Sequence, residues 1–590
     1  MPQYQAPLND FEFILHDWLK LTDHYQAIGA QDAADQSLVN AILNEAAKFS
    51  ETLLSPINYS GDQQSSQLNN GLVTTPSGFK DAYQQYCDAG WSSLACNPEF
   101  GGQGLPFSLS AAVAEMVAGA NASWSMFPGL THGAISALEN HANESLQAQY
   151  LPQLISGQWS GTMCLTEAHC GSDLGLLKTR ATPSKDGEYV INGSKIFISA
   201  GEHDLAENII HFVLARVDGA PEGTAGISLF LVPKMLTVIS GKSVQSDNQV
   251  ECSSIEHKMG IKASPTCVLN FDNSRGYLIG ELNQGLSCMF TMMNKARLAT
   301  GIQGYAIAEL AKQASLTYAS ERLQMRAISG AKMPQKPADP IIVHADIKRM
   351  LFTQKAIVEG CRGLAMYVAT LVDKIELSQQ PSSDIESRLG LLTPICKAFM
   401  SETGFEACNL AIQIYGGHGY IQESEIEQLV RDVRITSIYE GTNGIQALDL
   451  LGRKVLKDKF HSVNQWLTEI KIATENSDEK FVNYAHQLLD YCSQWQTINQ
   501  NLAQKVSQNP DEISAAAFDY LMFCGYVSVA HIFLQQANSL QHSSQSESFK
   551  QDKLQLLNFY FLRLLPRATY HQTVINAGAE SLNCEAFQLK

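Results

Sequence analysis

The sequence predicts a mostly α-helical protein with a β domain near its middle. From about residue 36 to 160, apolar side chains recur with the spacing of amphipathic helices. Between about 161 and 280 the pattern changes to short runs that are typical of strands. Helical spacing returns over 281–455 and continues over 456–590, so two helical regions are expected to follow the β domain.

The N-terminal end is predicted to be a leader followed by a helical domain. Residues 1–35 contain Phe13, Ile14, Leu15 and Trp18, which give this segment one apolar side. We expect residues 1–35 to form one leader helix that packs on the surface. The N-terminal helical domain is then expected to occupy residues 36–160.

The β domain contains a pattern that is typical of a hairpin. The runs 188–191 and 194–198 flank Asn192-Gly193, the dipeptide that favours a two-residue hairpin turn. Further strands are predicted at 209–217, 226–232 and 267–271. These runs predict a small antiparallel β domain over residues 161–280.

The longest apolar run lies in the last helical region. It extends from Ala515 to Leu534 and includes Asp519, Gly525 and His531. Polar residues inside such a run favour a buried helix over a membrane span, so no integral membrane segment is expected. Residues 456–590 show no clustered acids, bases or metal ligands, which predicts a packing domain and not a second active site.

Composition and charge narrow the class of protein. The 590 residues carry a net charge of -18, which argues against a nucleic-acid partner. The 13 cysteines include no CxxC pair, and the polar, acidic N-terminal segment does not match a signal peptide. Reduced thiols and no signal peptide predict a cytoplasmic location.

Glu440 occupies a break between two helical patterns. Leu429 and Val433 end one apolar periodicity, and a second begins at Ile445. Thr442 or Asn443 stands where the new helix needs its N-terminal cap. A carboxylate in such a break is free to point into a pocket, so Glu440 is the candidate general base.

Two long motifs give the chain a family resemblance. Residues 413–420, Arg431-Asp432 and 438–442 together resemble the C-terminal signature of acyl-CoA dehydrogenases. Far upstream, residues 164–173 resemble the flavin-contact signature of the same family. The resemblance covers roughly residues 36 to 455. It is strongest to the large subgroup with extra segments at both ends, which includes 3-(methylthio)propionyl-CoA dehydrogenases.

The resemblance implies a fold, a cofactor and a reaction. The implied fold is an N-terminal helical domain, an antiparallel β-barrel domain, a C-terminal helical bundle that carries the base, and the extra helical domain. A cofactor is needed because no side chain accepts a hydride, and the resemblance implies that this cofactor is non-covalently bound FAD. Glu440 would take the α-proton of an acyl-CoA substrate in fatty acid metabolism and β-oxidation. The product would be the trans-2-enoyl-CoA, the electron acceptor an electron-transferring flavoprotein, and the assembly a homodimer.

The resemblance also assigns roles to individual residues. Leu165 and Thr166 match contacts to the flavin ring, whereas Arg322 and Gln413 match residues that complete a neighbouring subunit's flavin site. The full set of implied FAD contacts is Met163, Leu165, Thr166, Gly171, Ser172, Phe197, Ile198, Ser199, Arg322, Gln413, Gly416, Gly417, Thr442 and Asn443. The implied substrate contacts are Ser172, Asn294, Arg297 and Gly441.

Several positions depart from the family pattern. Ala168-His169-Cys170 stands where many members have Pro-Gly-Ala, and Asn294 replaces an Asp. His169 and Cys170 suggest metal ligands, but no further ligand follows at zinc-type spacing, so no metal site is expected. None of these departures removes the base.

Two other functions remain open on sequence grounds. An acyl-CoA oxidase also keeps a Glu base, and sequence does not show how oxygen reaches the flavin. A non-catalytic FAD-binding member that contacts nucleic acid is disfavoured by the acidic net charge and by Glu440. The length of the acyl chain is set by side chains that the sequence does not place.

Overall fold

The computed structural model describes residues 3–30, 35–239, 242–378, 382–582 and 584. Contacts between Cα atoms divide the chain into two compact units. Unit 1 comprises Met1–Lys48, Pro106–Gly119 and Thr300–Lys590, and unit 2 comprises Phe49–Leu105 and Ala120–Ala299. The chain therefore enters and leaves unit 1 more than once.

Helices precede the β domain, as the spacing of apolar residues predicts. They are α1 (Leu8–Glu12), α2 (Leu21–Ala27), α3 (Gln36–Phe49), α4 (Asn58–Gln64), α5 (Phe79–Asp88), α6 (Phe107–Ala120), α7 (Ala122–His141) and α8 (Glu144–Ile155). Asn121 and Asn143 cap the N-termini of α7 and α8, because each side chain accepts a hydrogen bond from a backbone N–H in the first turn.

The leader is not the single surface helix that we expected from its sequence. Lys20 adopts a left-handed conformation with φ 48°, and this break separates α1 and its π-helical continuation from α2. Phe11, Phe13 and Leu15 are each 0% exposed, so the apolar side of the leader is part of a core. Burial of large apolar side chains stabilises this position, by about 1.5–3 kcal/mol for each fully buried one.

Eleven strands are described. They are β1 (Gln67–Asn69), β2 (Leu72–Thr74), β3 (Trp159–Cys164), β4 (Arg180–Pro183), β5 (Glu188–Ser199), β6 (Asn208–Val217), β7 (Ile227–Pro233), β8 (Met235–Ile239), β9 (Lys242–Asp247), β10 (Val250–Ile255) and β11 (Thr266–Ile279). The strands predicted at 209–217, 226–232 and 267–271 are confirmed as β6, β7 and part of β11.

Five strands close into a ring, which is a small barrel. β11 pairs with β5, β5 with β4, β4 with β6, β6 with β7, and β7 with β11. β10 extends the ring beside β11, and β3 extends it beside β6. Most pairings are antiparallel as predicted, but β3–β6 and β4–β6 are parallel. Parallel pairing is possible here because long connections separate these strands along the chain.

The predicted hairpin at Asn192-Gly193 is wrong. Residues 188–199 form one continuous strand, β5, which pairs with β11 along most of its length. The pairing with β11 shifts register between Phe271 and Ser274, so Asn192-Gly193 lies opposite an irregularity and not at a turn. Asn192 Oδ1 accepts a hydrogen bond from the Asn273 N–H at 2.9 Å, which fixes this arrangement.

Several helices after the β domain are long. They are α9 (Gly285–Glu321), α10 (Ala345–Leu377), α11 (Ser383–Tyr415), α12 (Ile426–Val433), α13 (Asn443–Leu448), α14 (His461–Glu475), α15 (Val482–Gln508), α16 (Glu512–Ser539), α17 (Glu547–Phe559) and α18 (Arg567–Ala577). The predicted fold class, helices around a central β domain with an extra C-terminal helical domain, is confirmed.

The apolar run in the extension is a buried helix, as predicted. α16 packs against α10 and α11, and a Cβ at Gly525 would lie 2.2 Å from the Phe399 ring on α11. The segment Glu512–His542 is long and apolar enough to cross a membrane by length and composition, but 89% of its apolar window is buried. This burial is typical of a core helix.

Candidate active site

A tight turn closes the loop that follows β3 in unit 2. The Glu167 N–H donates to the Cys170 carbonyl at 2.9 Å, and the Cys170 N–H donates to the Glu167 carbonyl at 3.0 Å. The Ile196 N–H on β5 donates to the Thr166 carbonyl at 2.9 Å. Leu165 and Thr166, the predicted flavin contacts, are therefore held against β5 by backbone hydrogen bonds.

A buried ion pair between Lys195 and Glu167 also holds this loop. Lys195 Nζ on β5 donates to Glu167 Oε1 at 2.9 Å and to the Leu165 carbonyl at 3.0 Å. Burial alone would raise the pKa of Glu167, but the Lys195 ammonium and hydrogen bonds from Thr179 and Lys178 lower this pKa to about 2. Burial also lowers the pKa of Lys195, although Glu167 opposes that effect. The Glu167 side chain is thus an ionised anchor of the loop.

The segment Phe197-Ile198-Ser199 leaves an aromatic ring uncovered. Phe197 has φ 60° and its side chain is 59% exposed, whereas Ile198 is only 2% exposed. The Ser199 carbonyl accepts a hydrogen bond from Thr162 Oγ1 at 2.9 Å, which ties the end of β5 to β3. A left-handed conformation at a bulky residue is costly and is found mostly where function requires it.

The remaining predicted contacts of unit 2 vary in exposure. Met163 is partly buried against the core of unit 2, and Gly171 and Ser172 are exposed on the loop. Arg297 lies on α9 with only 7% of its surface exposed. The side chain of Asn294 lies outside the described part of the chain.

Glu440 lies in the break between two helices of unit 1, as the sequence predicts. Its backbone has φ 58°, and Gly441 follows with φ 83°. Thr442 is the N-cap of α13, because its Oγ1 accepts a hydrogen bond from the Ile445 N–H at 3.3 Å. Gln446 Nε2 donates to the Glu440 carbonyl at 3.1 Å, so α13 also holds Glu440 in place.

A buried polar network fixes the start of α13. Asn443 Oδ1 accepts a hydrogen bond from Lys397 Nζ at 2.8 Å, and Asn443 Nδ2 donates to Glu402 Oε1 at 2.7 Å. Ser401 Oγ also lies within hydrogen-bonding distance of the Asn443 side chain. The Asn443 side chain is therefore engaged inside the protein, where it supports the turn at Glu440.

A second contact holds Tyr439, the residue that precedes Glu440. The Tyr439 hydroxyl donates a hydrogen bond to Gln303 on α9. Burial and the neighbouring Glu440 carboxylate both raise the pKa of Tyr439, so its phenol stays protonated and remains a donor. Glu440 is thus carried by a turn that is held on both sides, by Tyr439 and by Gln446.

Arg322 and Gln413 lie at the same end of unit 1. Arg322 directly follows α9 and Gln413 lies near the end of α11, and these helices meet where the Tyr318 and Tyr415 rings stack with centroids 4.1 Å apart. The Tyr318 hydroxyl also lies 2.9 Å from His418 Nδ1 in the turn that follows α11. Arg322 and Gln413 are both exposed. Within the described residues, the Arg322 guanidinium makes no ion pair.

The residues at this end fit a phosphate-bearing cofactor. Gly416 has φ 60°, and a Cβ placed on Gly416 or Gly417 would meet nothing within 4 Å, so the backbone there is open to a ligand. An exposed guanidinium and an open glycine backbone are groups that bind phosphate. In unit 2 the exposed Phe197, which follows Ile196 on β5, offers an apolar surface to a planar ring system. Both sets fit FAD.

Some supporting residues were not predictable from the motifs. Lys397 interrupts an apolar run in α11, and a lone lysine in such a run signals a buried partner. Glu167 and Lys195 form an ion pair across 28 residues of sequence, which no local pattern indicates. Gln446 is in the right place to reach back to the turn, but helical spacing alone does not distinguish it from other core residues.

Four family models match consecutive parts of the chain. Residues 40–158 match the acyl-CoA dehydrogenase N-terminal domain, 162–274 its middle domain and 283–456 its C-terminal domain. Residues 464–584 match a domain described as acetyl-CoA dehydrogenase C-terminal like.

Known proteins of similar length resemble the chain. A 3-methylmercaptopropionyl-CoA dehydrogenase of Ruegeria pomeroyi is 42% identical over 527 residues, which cover 88% of this chain and 89% of that protein. A butyryl-CoA dehydrogenase of Syntrophomonas wolfei is 32% identical over 591 residues, with 95% of both chains covered. An acyl-CoA dehydrogenase from Bacillus anthracis, solved with FAD, aligns with a TM-score of 0.75 at 21% identity and covers 92% of this chain and 88% of its own.

Proposed function

Because the chain belongs to the acyl-CoA dehydrogenase family, whose members are FAD-dependent oxidoreductases, we propose that it converts an acyl-CoA to the trans-2-enoyl-CoA with Glu440 as the base. The observation that carries this proposal is the Glu440 turn. A carboxylate stands in a left-handed backbone conformation, and Gln446 and the Thr442 cap hold that turn in place. Strain of this kind persists only where the surrounding structure enforces it.

The chain's own residues carry out the proton chemistry. The Glu440 carboxylate takes the proton from the α-carbon of the thioester, which is general-base catalysis. The Glu440 N–H donates to the thioester carbonyl and stabilises the negative charge that develops there. FAD, when bound, supplies the electron acceptor that side chains lack. The turn must therefore hold both the Glu440 carboxylate and its N–H in a fixed orientation.

The family resemblance assigns the cofactor contacts to individual residues. Leu165, Thr166 and Phe197 would contact the flavin ring, and Thr442 would donate its hydroxyl proton to a phosphate while its oxygen still caps α13. Arg322 and Gly416 would bind the phosphate and adenine side of a neighbouring subunit's FAD. The exposed positions of Arg322 and Phe197 support these roles.

The substrate is proposed to be a short acyl-CoA thioester. Two relatives that match nearly the whole chain are named for 3-methylmercaptopropionyl-CoA and butyryl-CoA. Ser172, Arg297 and Gly441 would contact this substrate, as would Asn294. A panel of acyl-CoAs of graded length, scored by anaerobic bleaching of the flavin, tests the assignment. Faster bleaching by long-chain thioesters than by these two compounds would contradict it.

The electron acceptor is proposed to be an electron-transferring flavoprotein. This protein is the acceptor implied by the family, and an oxidase would instead return electrons to oxygen. Turnover should therefore be fast with the flavoprotein or an artificial dye and should release little peroxide in air. Peroxide release that matches the rate of dye reduction would identify an oxidase instead.

The enzyme is proposed to be a cytoplasmic homodimer. Exposed apolar side chains accompany Arg322 and Gln413 at their end of unit 1, including Met325 at 72% and Tyr420 at 86% exposure. Exposed apolar surface of this kind is typical of an interface. Light scattering at several concentrations should give the mass of two chains. All 13 cysteines are unpaired thiols, which suits a reducing compartment and is testable by cell fractionation.

The decisive test of the proposal is the Glu440→Gln variant. It keeps the size of the side chain but removes the base, so FAD binding should survive while dehydrogenation falls by roughly 10²–10⁴-fold. Exchange of the substrate α-proton with deuterated water should fall in parallel. The exposed Glu423→Gln variant is the matched control and should exchange at the wild-type rate. Wild-type exchange in Glu440→Gln would require another base.

A further inference from the structure

The turn after β3 brings three metal-ligating side chains together. The Glu167 carboxylate, a ring nitrogen of His169 and the Cys170 Sγ all lie within 4.8 Å of one another. Sequence spacing alone predicts no metal site here, because it does not show that Glu167 folds back against His169 and Cys170. The two backbone hydrogen bonds between Glu167 and Cys170 fix that arrangement.

The three side chains are close to a coordination geometry. Tetrahedral zinc has bonds of about 2.0–2.3 Å, which place its ligand atoms roughly 3.5 Å from one another. His169 Nε2 and Glu167 Oε2 are already 3.7 Å apart. No two of the three ligand atoms are more than 4.8 Å apart.

We propose that Glu167, His169 and Cys170 form a binding site for one thiophilic divalent cation, of which Zn²⁺ is the model. A thiolate and an imidazole favour such ions over Mg²⁺ and Ca²⁺, which prefer oxygen ligands. His169 has 39% of its side chain exposed and provides the entry, whereas Glu167 is only 5% exposed. Three protein ligands leave a fourth position for water.

The groups that face the site leave one carboxylate oxygen for the ion. Lys195 Nζ and Thr179 Oγ1 both donate to Glu167 Oε1, at 2.9 and 2.6 Å. Glu167 Oε2 accepts one hydrogen bond, from the Lys178 N–H at 2.7 Å, and retains a lone pair. His169 Nε2 lies 2.9 Å from the Leu176 carbonyl, so metal binding exchanges that hydrogen bond for a coordination bond.

Charged groups around the site offset one another in part. The Lys195 ammonium lies 2.9 Å from Glu167 Oε1 and offsets part of the negative charge that Glu167 and a Cys170 thiolate bring to an ion.

The site lies on the loop that carries the proposed flavin contacts. Lys195 donates both to Glu167 and to the Leu165 carbonyl, so a change at Glu167 reaches Leu165 through one side chain. An ion at this site is therefore placed to affect the flavin environment. Binding of a cation at this site does not depend on which residue is the catalytic base.

Cadmium titration of the FAD-loaded protein tests the site. All variants carry Cys584→Ala, which removes the exposed thiol. The parent should bind one equivalent of Cd²⁺ with a thiolate-to-cadmium charge-transfer band in the ultraviolet, and Zn²⁺ should displace it. Cys170→Ala should lose the band, and His169→Gly should bind at least roughly tenfold more weakly, since even groups outside the coordination shell affect affinity by 10- to 100-fold.

Matched controls separate this site from other cysteines and histidines. Cys87→Ala and His257→Gly remove a partly buried thiol and an exposed imidazole elsewhere in unit 2, and both should bind like the parent. Gly and Ala are the residues that many relatives carry at 169 and 170, and retention of FAD by the variants confirms folding. If either Cys170→Ala or His169→Gly does not retain FAD, cadmium binding by the other variant tests the site. A parent without the band, or an unchanged band in Cys170→Ala, would overturn the proposal.

Discussion

Lys397 Nζ donates to Asn443 Oδ1 at 2.8 Å and thereby ties the first residue of α13 to the middle of α11. Lys397 is 0% exposed and Asn443 is 4% exposed. The hydrogen bond is therefore formed away from water, where an unpaired ammonium would be costly. Through Asn443 this buried charge fixes the turn that carries Glu440.

Lys397→Met should slow catalysis without preventing substrate binding. The substitution removes one of the hydrogen bonds that hold Asn443 and leaves Glu440 itself unchanged, so the turn is held less firmly. Small misplacement of a reacting group costs roughly 10²-fold in rate. We expect kcat to fall by about that factor with a smaller change in KM. A wild-type kcat in a variant that retains FAD would show that Lys397 does not position the turn.

The left-handed backbone of Glu440 predicts a stability difference between two inactive variants. At φ 58° glycine is unstrained, whereas alanine retains the steric cost of its Cβ. Glu440→Gly should therefore be more stable than Glu440→Ala by about 1 kcal/mol in denaturant unfolding. Equal stability of the two variants would mean that the turn relaxes once the carboxylate is removed.

Arg322→Ala should weaken the retention of FAD. The exposed guanidinium is proposed to make a charge-assisted contact with a cofactor phosphate, and loss of such a contact costs on the order of 1.5–3 kcal/mol. The apparent dissociation constant should rise by about 10- to 100-fold in equilibrium dialysis. Arg349→Ala, which removes an exposed arginine paired with Asp346, is the control and should retain FAD normally.

The Lys195–Glu167 ion pair predicts an acid-sensitive loop. The folded pKa of Glu167, about 2, lies below its ordinary value of 4.5. The stabilisation is therefore present above about pH 4.5 and is lost as the pH falls toward 2. Glu167→Gln should remove this dependence and destabilise the protein at pH 7 by roughly 3 kcal/mol, because Lys195 keeps a buried charge. Urea unfolding at several pH values measures both effects.

Lys553 in α17 should stabilise the protein far more than an exposed lysine does. Its Nζ lies 2.7 Å from Asp10 Oδ1 in the leader and 2.6 Å from Glu359 Oε2 in α10. Lys553→Met should cost roughly 3–5 kcal/mol, because it leaves those carboxylates buried and less compensated. Lys471→Met breaks an exposed pair with Glu475 and should change the free energy of unfolding by less than about 0.5 kcal/mol. Similar effects of the two substitutions would contradict this prediction.

Local patterns predicted the features that depend on local chemistry. The break at Glu440 and the cap at Thr442 are confirmed, because capping requires only residues three positions apart. The apolar run of α16 is confirmed as a buried helix, because such a run is also a local pattern in the sequence. Periodicity and capping therefore located the turn at Glu440.

Long-range pairing decided the features that local patterns did not predict. Asn192-Gly193 favours a hairpin by its local propensity, but hydrogen bonding to β11 on both sides keeps β5 continuous. Lys397 and Asn443 are 46 residues apart, and no periodicity connects them. The leader is broken at Lys20, where the backbone is left-handed. It is buried because it contacts residues distant in sequence, such as Arg362, which donates a hydrogen bond to Asp10.

The charge network at Asp10 also constrains the order in which the chain folds during synthesis. Asp10 is synthesised long before its partner Lys553, because translation adds only about 5–20 residues per second. Unit 2 ends at Ala299 and has all its residues before unit 1 does. In nascent chains the β domain should therefore be able to fold while the apolar leader, with Phe11 and Phe13, is still exposed because its packing partners have not been synthesised. That interval is when molecular chaperones are most needed.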